Sequence, residues 1–175
     1  MSNEKKPSLF KEVIRLGKLR LGVSVVFSSI AGYLLGYDVF SWVELLLLTL
    51  GGLLVVAASN AFNQIYEVEQ DALMNRTKNR PLPAGTMTVA QAYTAAVLAL
   101  LVGLFMLYSI NVLSAFFGGL SAFLYAVIYT PLKSRTSLAV FVGAFPGAIP
   151  YMLGWVAARN DFYMATVTFY AQQCF

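Results

Sequence analysis

Residues 42–83 read WVELLLLTLGGLLVVAASNAFNQIYEVEQDALMNRTKNRPLP, and they decide the architecture. From Leu45 to Ala58 only Thr49, Gly51 and Gly52 interrupt an unbroken apolar run. With Trp42 at its start, the run matches the ~20 residues that a helix needs to cross a bilayer. Its far end is not apolar: Asn60, Asn63, Glu67 and Asp71 appear in the same helix. Ionisable groups at membrane depth are costly and line a cavity or a pathway when they occur. Asn63, Glu67 and Asp71 stand at i, i+4 and i+8, within an arc of about 80° at 100° per residue. Their oxygens can therefore converge, whereas Tyr66 and Glu69 point elsewhere. An oxygen-only set of this kind suits a hard cation such as Mg²⁺, which takes few protein ligands and completes its shell with water or phosphate.

Outward from this segment, the chain repeats the apolar pattern. It has 175 residues, 59% of them apolar and only 11% charged, with a mean hydropathy of +0.71. Soluble domains are nearer a quarter charged, so an ordinary water-soluble enzyme and a disordered protein are both excluded. Composition predicts an all-α, polytopic transmembrane bundle of four to six helices. The spans run about Leu21–Tyr37, Trp42 into the polar end near Asp71, Val89–Tyr108, Val112–Tyr129 and Leu138–Ala157. A sixth apolar stretch starts after Asp161. Gly51-Gly52, Gly118-Gly119 and Gly143 suit close helix packing in lipid. Pro131, Pro146 and Pro150 mark a helix end and kinks. Residues 1–20 form a basic segment whose Val13, Leu16 and Leu19 make an apolar stripe, as in a helix lying on a membrane surface. Further apolar spans follow it, so a cleaved signal peptide is the weaker reading.

Of the 12 basic residues, all but Arg159 fall in the N-terminal segment, the 71–88 loop or the loop after the fourth span. With alternating crossings these share one face, and Asp38 and Glu44 lie on the other. The positive-inside rule places the N-terminus and both loops in the cytoplasm. The net charge of +4 is thereby explained without nucleic acid. The single Cys174 allows no internal disulfide, and no histidine is present to serve as zinc ligand, general base or haem ligand within this stretch.

Arg76, Lys78 and Arg80 follow the acidic face closely. They either neutralise it as a salt-bridged helix end, or share a diphosphate with a metal on the acidic side. The electrostatic match favours the diphosphate, with Arg making bidentate contacts and Lys acting as a point charge. Lys133 and Arg135 in the later loop (Tyr129-Thr-Pro-Leu-Lys133-Ser-Arg135-Thr136) are by themselves ordinary positive-inside anchors.

The pattern Asn63-x3-Glu67-x3-Asp71-x2-Met74-x-Arg76-Thr77-x2-Arg80-Pro81-Leu82-Pro83-x-Gly85 resembles the first polyprenyl-diphosphate motif of the UbiA-type intramembrane prenyltransferases. Together with Tyr129–Thr136 and the stretch Val142 to Trp155, it is most similar to the branch that farnesylates protoheme IX to make haem O. The resemblance covers about residues 15–160. It implies a bundle of about nine helices, of which this chain carries about five complete crossings. It implies farnesyl diphosphate as donor and protoheme IX (haem B) as acceptor, with Mg²⁺ bridging the diphosphate. It makes Asn63, Glu67 and Asp71 the first metal set, Arg76, Lys78 and Arg80 the diphosphate ligands, and Tyr129 and Lys133 a loop element over the same site. Phe62 and Tyr66 are candidates for stabilising an allylic cation, or ordinary packing aromatics.

The resemblance further implies a multi-pass protein of the bacterial cytoplasmic membrane, with haem A pathway enzymes as partners. The family's second acidic motif and its later histidines are absent from this chain. Residues 21–175 are therefore expected to be a partial prenyltransferase domain cut within helix six, and residues 1–175 alone are expected not to transfer farnesyl. Glu67 stands where the family commonly has Asp, which preserves oxygen ligation. The alternatives are a prenyltransferase for an aromatic quinone precursor, and a non-catalytic half-transporter or assembly subunit, for which no internal repeat speaks.

Overall fold

The structure is a computed structural model that describes residues 8–133, 135–136 and 138–161. The expected sixth span lies outside the described residues, as does the start of the basic N-terminal segment. The described residues form helices α1 (Leu9–Gly17), α2 (Leu19–Gly36), α3 (Trp42–Tyr66), α4 (Val68–Leu73), α5 (Val89–Tyr108), α6 (Val112–Phe123), α7 (Thr130–Lys133) and α8 (Ala139–Arg159). A π-helical segment, Leu124–Tyr129, joins α6 to α7 without a break. Among the described residues, four helices are long and apolar enough to cross a membrane, or five when α1 and α2, bent by 53° at their joint, are taken as one span.

The starts of α3, α5 and α6 are fixed by polar caps. Ser41 caps α3 by accepting from Glu44 N at 3.3 Å. Thr88 and Gln91 form a reciprocal capping box on α5. Asn111 serves two helices at once. Its Oδ1 accepts from Ser114 N at 2.7 Å, and its Nδ2 donates to Val156 O and Ala157 O at 3.1 and 3.3 Å. It thus begins α6 and ties it to two carbonyls in the last turn of α8, of which Val156 O also accepts from Asn160 N.

Five helices close into a ring, α2 on α3, α3 on α5, α5 on α6, α6 on α8 and α8 back on α2. Small residues set the tightest of these contacts. A Cβ on Gly51 would lie 3.1 Å from Gly103 O, and one on Gly103 would lie 2.9 Å from Gly51 O, so α3 and α5 meet backbone to backbone. At the α2–α8 crossing, a Cβ on Gly154 would fall inside van der Waals contact of Ser29 O, and one on Gly32 would do the same to Tyr151 O. Without a hydrophobic driving force between helices in lipid, such close packing is a main source of association. The core along this side includes Tyr33, Leu48, Val55, Leu107, Ile149 and Val156.

Pro150 lacks the N–H that would bond Pro146 O one turn earlier. Ser121 Oγ donates to that carbonyl from α6 at 3.4 Å, so the kink costs no orphaned acceptor and α8 stays against α6. At the end of the bundle away from the basic loops, Arg159 pairs with Asp38 at 2.9 Å and donates to Gly36 O. Tyr33 Oη donates to Glu44 Oε2 at 2.9 Å at the same end.

At the opposite end, α1 lies against α3. Its Leu16 is buried with Ala61, Leu82, Met87, Ala92 and Ala96 in a second core. Leu9, Phe10, Val13 and Ile14 face outward, so the apolar stripe is divided: Leu16 turns to the bundle while Val13 turns away from it. Glu12 is fully buried, where it pairs with Arg15 at 3.0 Å and accepts from Thr86 Oγ1 at 2.7 Å. Arg15 in turn donates to Asn79 O at 2.8 Å. Helix α1 thereby clamps the loop that carries Arg76 and Arg80.

Candidate functional site

Within the ring lies a cavity of about 770 Å³. Its α3 wall runs from Glu67 through Asn63, Asn60 and Ser59 to Val56 and Val55. The 12 steps from Glu67 back to Val55 span about 18 Å at 1.5 Å per residue, and the wall changes from ionised to amide to hydroxyl to aliphatic. The charged end is the end of the basic loops, and the apolar end lies at mid-bundle.

The acidic set sits on a broken helix, and the break preserves its alignment. Helix α3 ends at Tyr66, and Glu67 adopts φ −94° and ψ 12° before α4 begins. The sequence pattern implies one continuous helix here, so the kink is a departure from it. Yet Glu67 N still donates to Asn63 O at 3.0 Å, and Asp71 N to Glu67 O at 2.8 Å. The i+4 ladder therefore passes through the three residues in question, and all three line the cavity. Asn63 is buried and donates from Nδ2 to Thr130 Oγ1 at 3.3 Å, which leaves its amide oxygen as an acceptor. Asp71 is buried and ion-paired with Arg80. Glu67 pairs with Lys133 Nζ at 3.1 Å.

Of the basic residues singled out in the sequence, Arg76, Arg80 and Lys133 line the cavity and Lys78 does not. Lys78 is exposed on the outer side of its turn, donating to Asn75 Oδ1 at 3.0 Å. The turn itself is pinned by Thr77, whose hydroxyl donates to Asp71 O at 2.8 Å, and by the burial of Leu82 and Met87. Phe62 and Tyr66 also lie off the cavity: Phe62 packs edge-on against Tyr93 at 5.9 Å, and Tyr66 is exposed. The aromatics on the cavity wall are Tyr129 and Tyr125, stacked with ring centroids 5.5 Å apart. Together with Lys133 they stand at i, i+4 and i+8, so one helical face carries all three to the cavity. The turn that bears both tyrosines is π-helical, marked by Thr130 N bonding Tyr125 O. Such bulges concentrate at functional sites.

Lys18 is the residue that sequence reasoning passed over, because it read as one more cation of the N-terminal segment. It occupies the joint between α1 and α2 in a left-handed conformation, φ 48° and ψ 53°. The joint is held from α3: Asn60 Nδ2 donates to Gly17 O at 3.2 Å and Gln64 Nε2 to Leu16 O at 2.5 Å, capping the open carbonyls of α1. The resulting turn directs Lys18 to the cavity. Burial, and next the charge of Arg80, hold its ammonium below the ordinary value of 10.5, against the opposing pull of Asp71 and Glu67.

Four cations (Lys18, Arg76, Arg80, Lys133) and two carboxylates (Glu67, Asp71) therefore line one cavity, a surplus of two positive charges. Neutralisation of the acidic face uses only Arg80 and Lys133. Lys18 and Arg76 have no ion-pair partner among the described residues. No cluster of three or more Asp, Glu, His or Cys side chains able to hold a metal occurs among the described residues. Three oxygen donors are on hand instead, from Asn63, Glu67 and Asp71. This fits a hard cation that takes much of its shell from a bound anion.

A charged mouth with a surplus of cations above an apolar floor has the chemistry to accept an amphiphile with an anionic head. The chain belongs to the UbiA prenyltransferase family, whose model matches residues 25–175. It is 57% identical over 166 residues to a protoheme IX farnesyltransferase of Christiangramia forsetii, covering 95% of this chain and 54% of that protein. It is 54% identical over 171 residues to one of Flavobacterium psychrophilum, covering 96% and 57%. The mitochondrial protoheme IX farnesyltransferase of Homo sapiens is 40% identical over 148 residues, 84% of this chain and 33% of that protein. The chain thus spans about half the length of the bacterial relatives it matches. Among solved structures, the fold matches a digeranylgeranylglyceryl phosphate synthase with a TM-score of 0.84 at 20% identity, covering 94% of this chain and 58% of that one. It also matches a UbiA homolog from Archaeoglobus fulgidus bound to DMAPP and Mg²⁺, with a TM-score of 0.79 at 18% identity, covering 93% and 60%.

Proposed function

We propose that this chain forms the donor-binding part of a protoheme IX farnesyltransferase, which transfers farnesyl from farnesyl diphosphate to a vinyl group of protoheme IX and yields haem O. The observation that carries the donor half is the graded cavity, whose α3 wall offers oxygen ligands beside the cations of the loops at one end and aliphatic side chains to an isoprenoid at the other. The acceptor half rests on the identity to protoheme IX farnesyltransferases along nearly the whole chain.

In this reading the head group sits between the carboxylates and the cations. Asn63, Glu67 and Asp71 hold Mg²⁺, which when bound offsets the negative charge of the diphosphate. Arg80, Arg76, Lys133 and Lys18 contact diphosphate oxygens. As the allylic C–O bond breaks, its electron pair leaves with the diphosphate, and these fixed cations stabilise the charge that develops there. The stacked Tyr125 and Tyr129 rings present π faces to the allylic cation. The vinyl π electrons close the new C–C bond, and water adds to the resulting cation and loses a proton, giving the hydroxyethylfarnesyl group. In the same reading, residues 1–20 are the basic segment at the cytoplasmic surface, residues 21–175 belong to the prenyltransferase membrane domain, and the cavity mouth opens to the cytoplasm; the distribution of basic residues supports this orientation.

The test supplies membranes containing the protein, expressed from its complete reading frame, with farnesyl diphosphate, Mg²⁺ and either protoheme IX or hydroxybenzoate and naphthoate acceptors. The expected product is haem O by mass. A prenylated aromatic acid with no haem O would instead support the quinone-precursor reading, and no prenylated product with any acceptor would contradict the enzyme reading.

Lys18 gives a prediction that separates binding from folding. Lys18→Gly removes an ammonium from the mouth but relieves a left-handed backbone that costs a non-glycine residue about 1 kcal/mol. The variant is expected to melt no lower than the parent while its affinity for a prenyl diphosphate falls about tenfold, on the scale of one charge-assisted contact of ~1.5 kcal/mol. A lower melting temperature with unchanged affinity would make Lys18 a structural residue only.

A further inference from the structure

We propose that Gly147 sets the length of isoprenoid tail that the cavity admits; the inference rests on the donor reading above and deepens it. At every other glycine described within a helix a Cβ would meet another atom within 4 Å, and at all but Gly52 and Gly119 the contact would be 3.2 Å or closer. Gly147 alone among the described helical glycines has nothing within 4 Å of where its Cβ would stand, although it lies in α8 between Pro146 and Pro150 and lines the cavity. The open space beside it is the cavity itself.

Depth along α8 orders the wall. A Cβ on Gly143 would lie 2.7 Å from the Tyr129 ring, so that turn belongs to the tyrosine pair near the charged mouth. Gly147 is one turn further in, about 6 Å at 1.5 Å per residue, with Val25, Val55 and Val56 on the facing helices. Beyond it the void continues as a small apolar pocket of about 20 Å³, which shares Val25, Val55, Val56, Ser121 and Pro150 with the main cavity and is closed by Ile149 and Leu153. A diphosphate held by Arg80 and its neighbouring cations at the mouth sends its first isoprene unit past the tyrosines and its later units past Gly147. A side chain at 147 projects into the path of the later units and leaves the head and the first unit in place.

The test is a competition between dimethylallyl and farnesyl thiolodiphosphates, which resist ionisation, for the protein in lipid nanodiscs with Mg²⁺. In Gly147→Leu the affinity ratio of farnesyl to dimethylallyl is expected to fall at least tenfold relative to the parent. Gly147→Ala, which adds one methyl group to open space, is expected to lower it about threefold and guards against loss of fold in the larger variant. A parent that binds both analogues, with variants that keep its ratio, overturns the assignment of Gly147 and leaves the donor reading standing. A parent that binds neither analogue overturns the donor reading, and this inference with it.

Discussion

Asp71→Ala is expected to abolish farnesyl transfer, with turnover falling by roughly 10²–10³-fold or more, the scale of losing one preorganised electrostatic partner of the departing charge. Asp71 is buried and does three things at once. It stands third in the Asn63–Glu67–Asp71 oxygen set, it holds Arg80 through an ion pair, and its carbonyl receives the Thr77 hydroxyl that closes the basic turn. The alanine keeps only the carbonyl. Arg80 then remains partly buried without its partner, and breaking a buried pair costs about 3–5 kcal/mol. Asp71→Asn separates the two consequences, since it retains the shape and a neutral acceptor for Arg80 but removes the charge. It is expected to melt close to the parent and to be nearly as inactive as the alanine. The contrast is Asp38, whose pair with Arg159 lies at the other end of the bundle with Asp38 73% exposed. An exposed pair is worth about 0–1 kcal/mol, so Asp38→Ala is expected to leave turnover within about twofold. Turnover assays with melting curves on the three variants provide the check, and substantial activity in Asp71→Ala would remove Asp71 from the site.

Gly154→Leu is expected to be the most damaging single change to the fold. The α2–α8 contact is backbone on backbone at this point, and even a Cβ would overlap Ser29 O and crowd Tyr33 N at 2.7 Å. Overpacking a well-packed core costs about 1–3 kcal/mol, and here the obstacle is main chain, which cannot rotate away. The ring opens between α2 and α8, and with it the cavity that both helices line. The variant is expected to appear in membranes at a small fraction of the parent level and to lose its cooperative melting transition. Gly119→Ala is the comparison, because a Cβ there would meet only Leu104 Cδ2 at 3.7 Å and Cδ1 at 4.0 Å, and near-normal accumulation is expected. Normal accumulation and melting of Gly154→Leu would contradict the described crossing.

The membrane spans were legible in the sequence because their signal is local. Composition marks them, and the spans read from Val89 and from Val112 start where α5 and α6 start. The i, i+4, i+8 spacing likewise placed Asn63, Glu67 and Asp71 on one wall. What stayed hidden depends on partners distant in sequence or on helical register. Lys18 reaches the cavity because Asn60 and Gln64, more than 40 positions later, cap the end of α1. Tyr125 reaches it one turn before Tyr129 on the same helical face, inside an apolar run where no charge marks the cavity side. Lys78 misses it because the turn between Met74 and Arg80 faces alternate cations outward, whereas charge alone cannot say which of three neighbours turns in. The small residues were read collectively as packing glycines, and only the three-dimensional contacts single out Gly147 as the exception.

The central claim, that the graded cavity binds a prenyl diphosphate head-first through both its carboxylates and its cations, is tested most directly by binding of farnesyl thiolodiphosphate to the protein in nanodiscs, titrated with Mg²⁺ and repeated in EDTA. The account predicts saturable binding that requires Mg²⁺, is lost in Asp71→Ala and is not matched by farnesol. Equal binding in EDTA, or equal binding of farnesol, would contradict it.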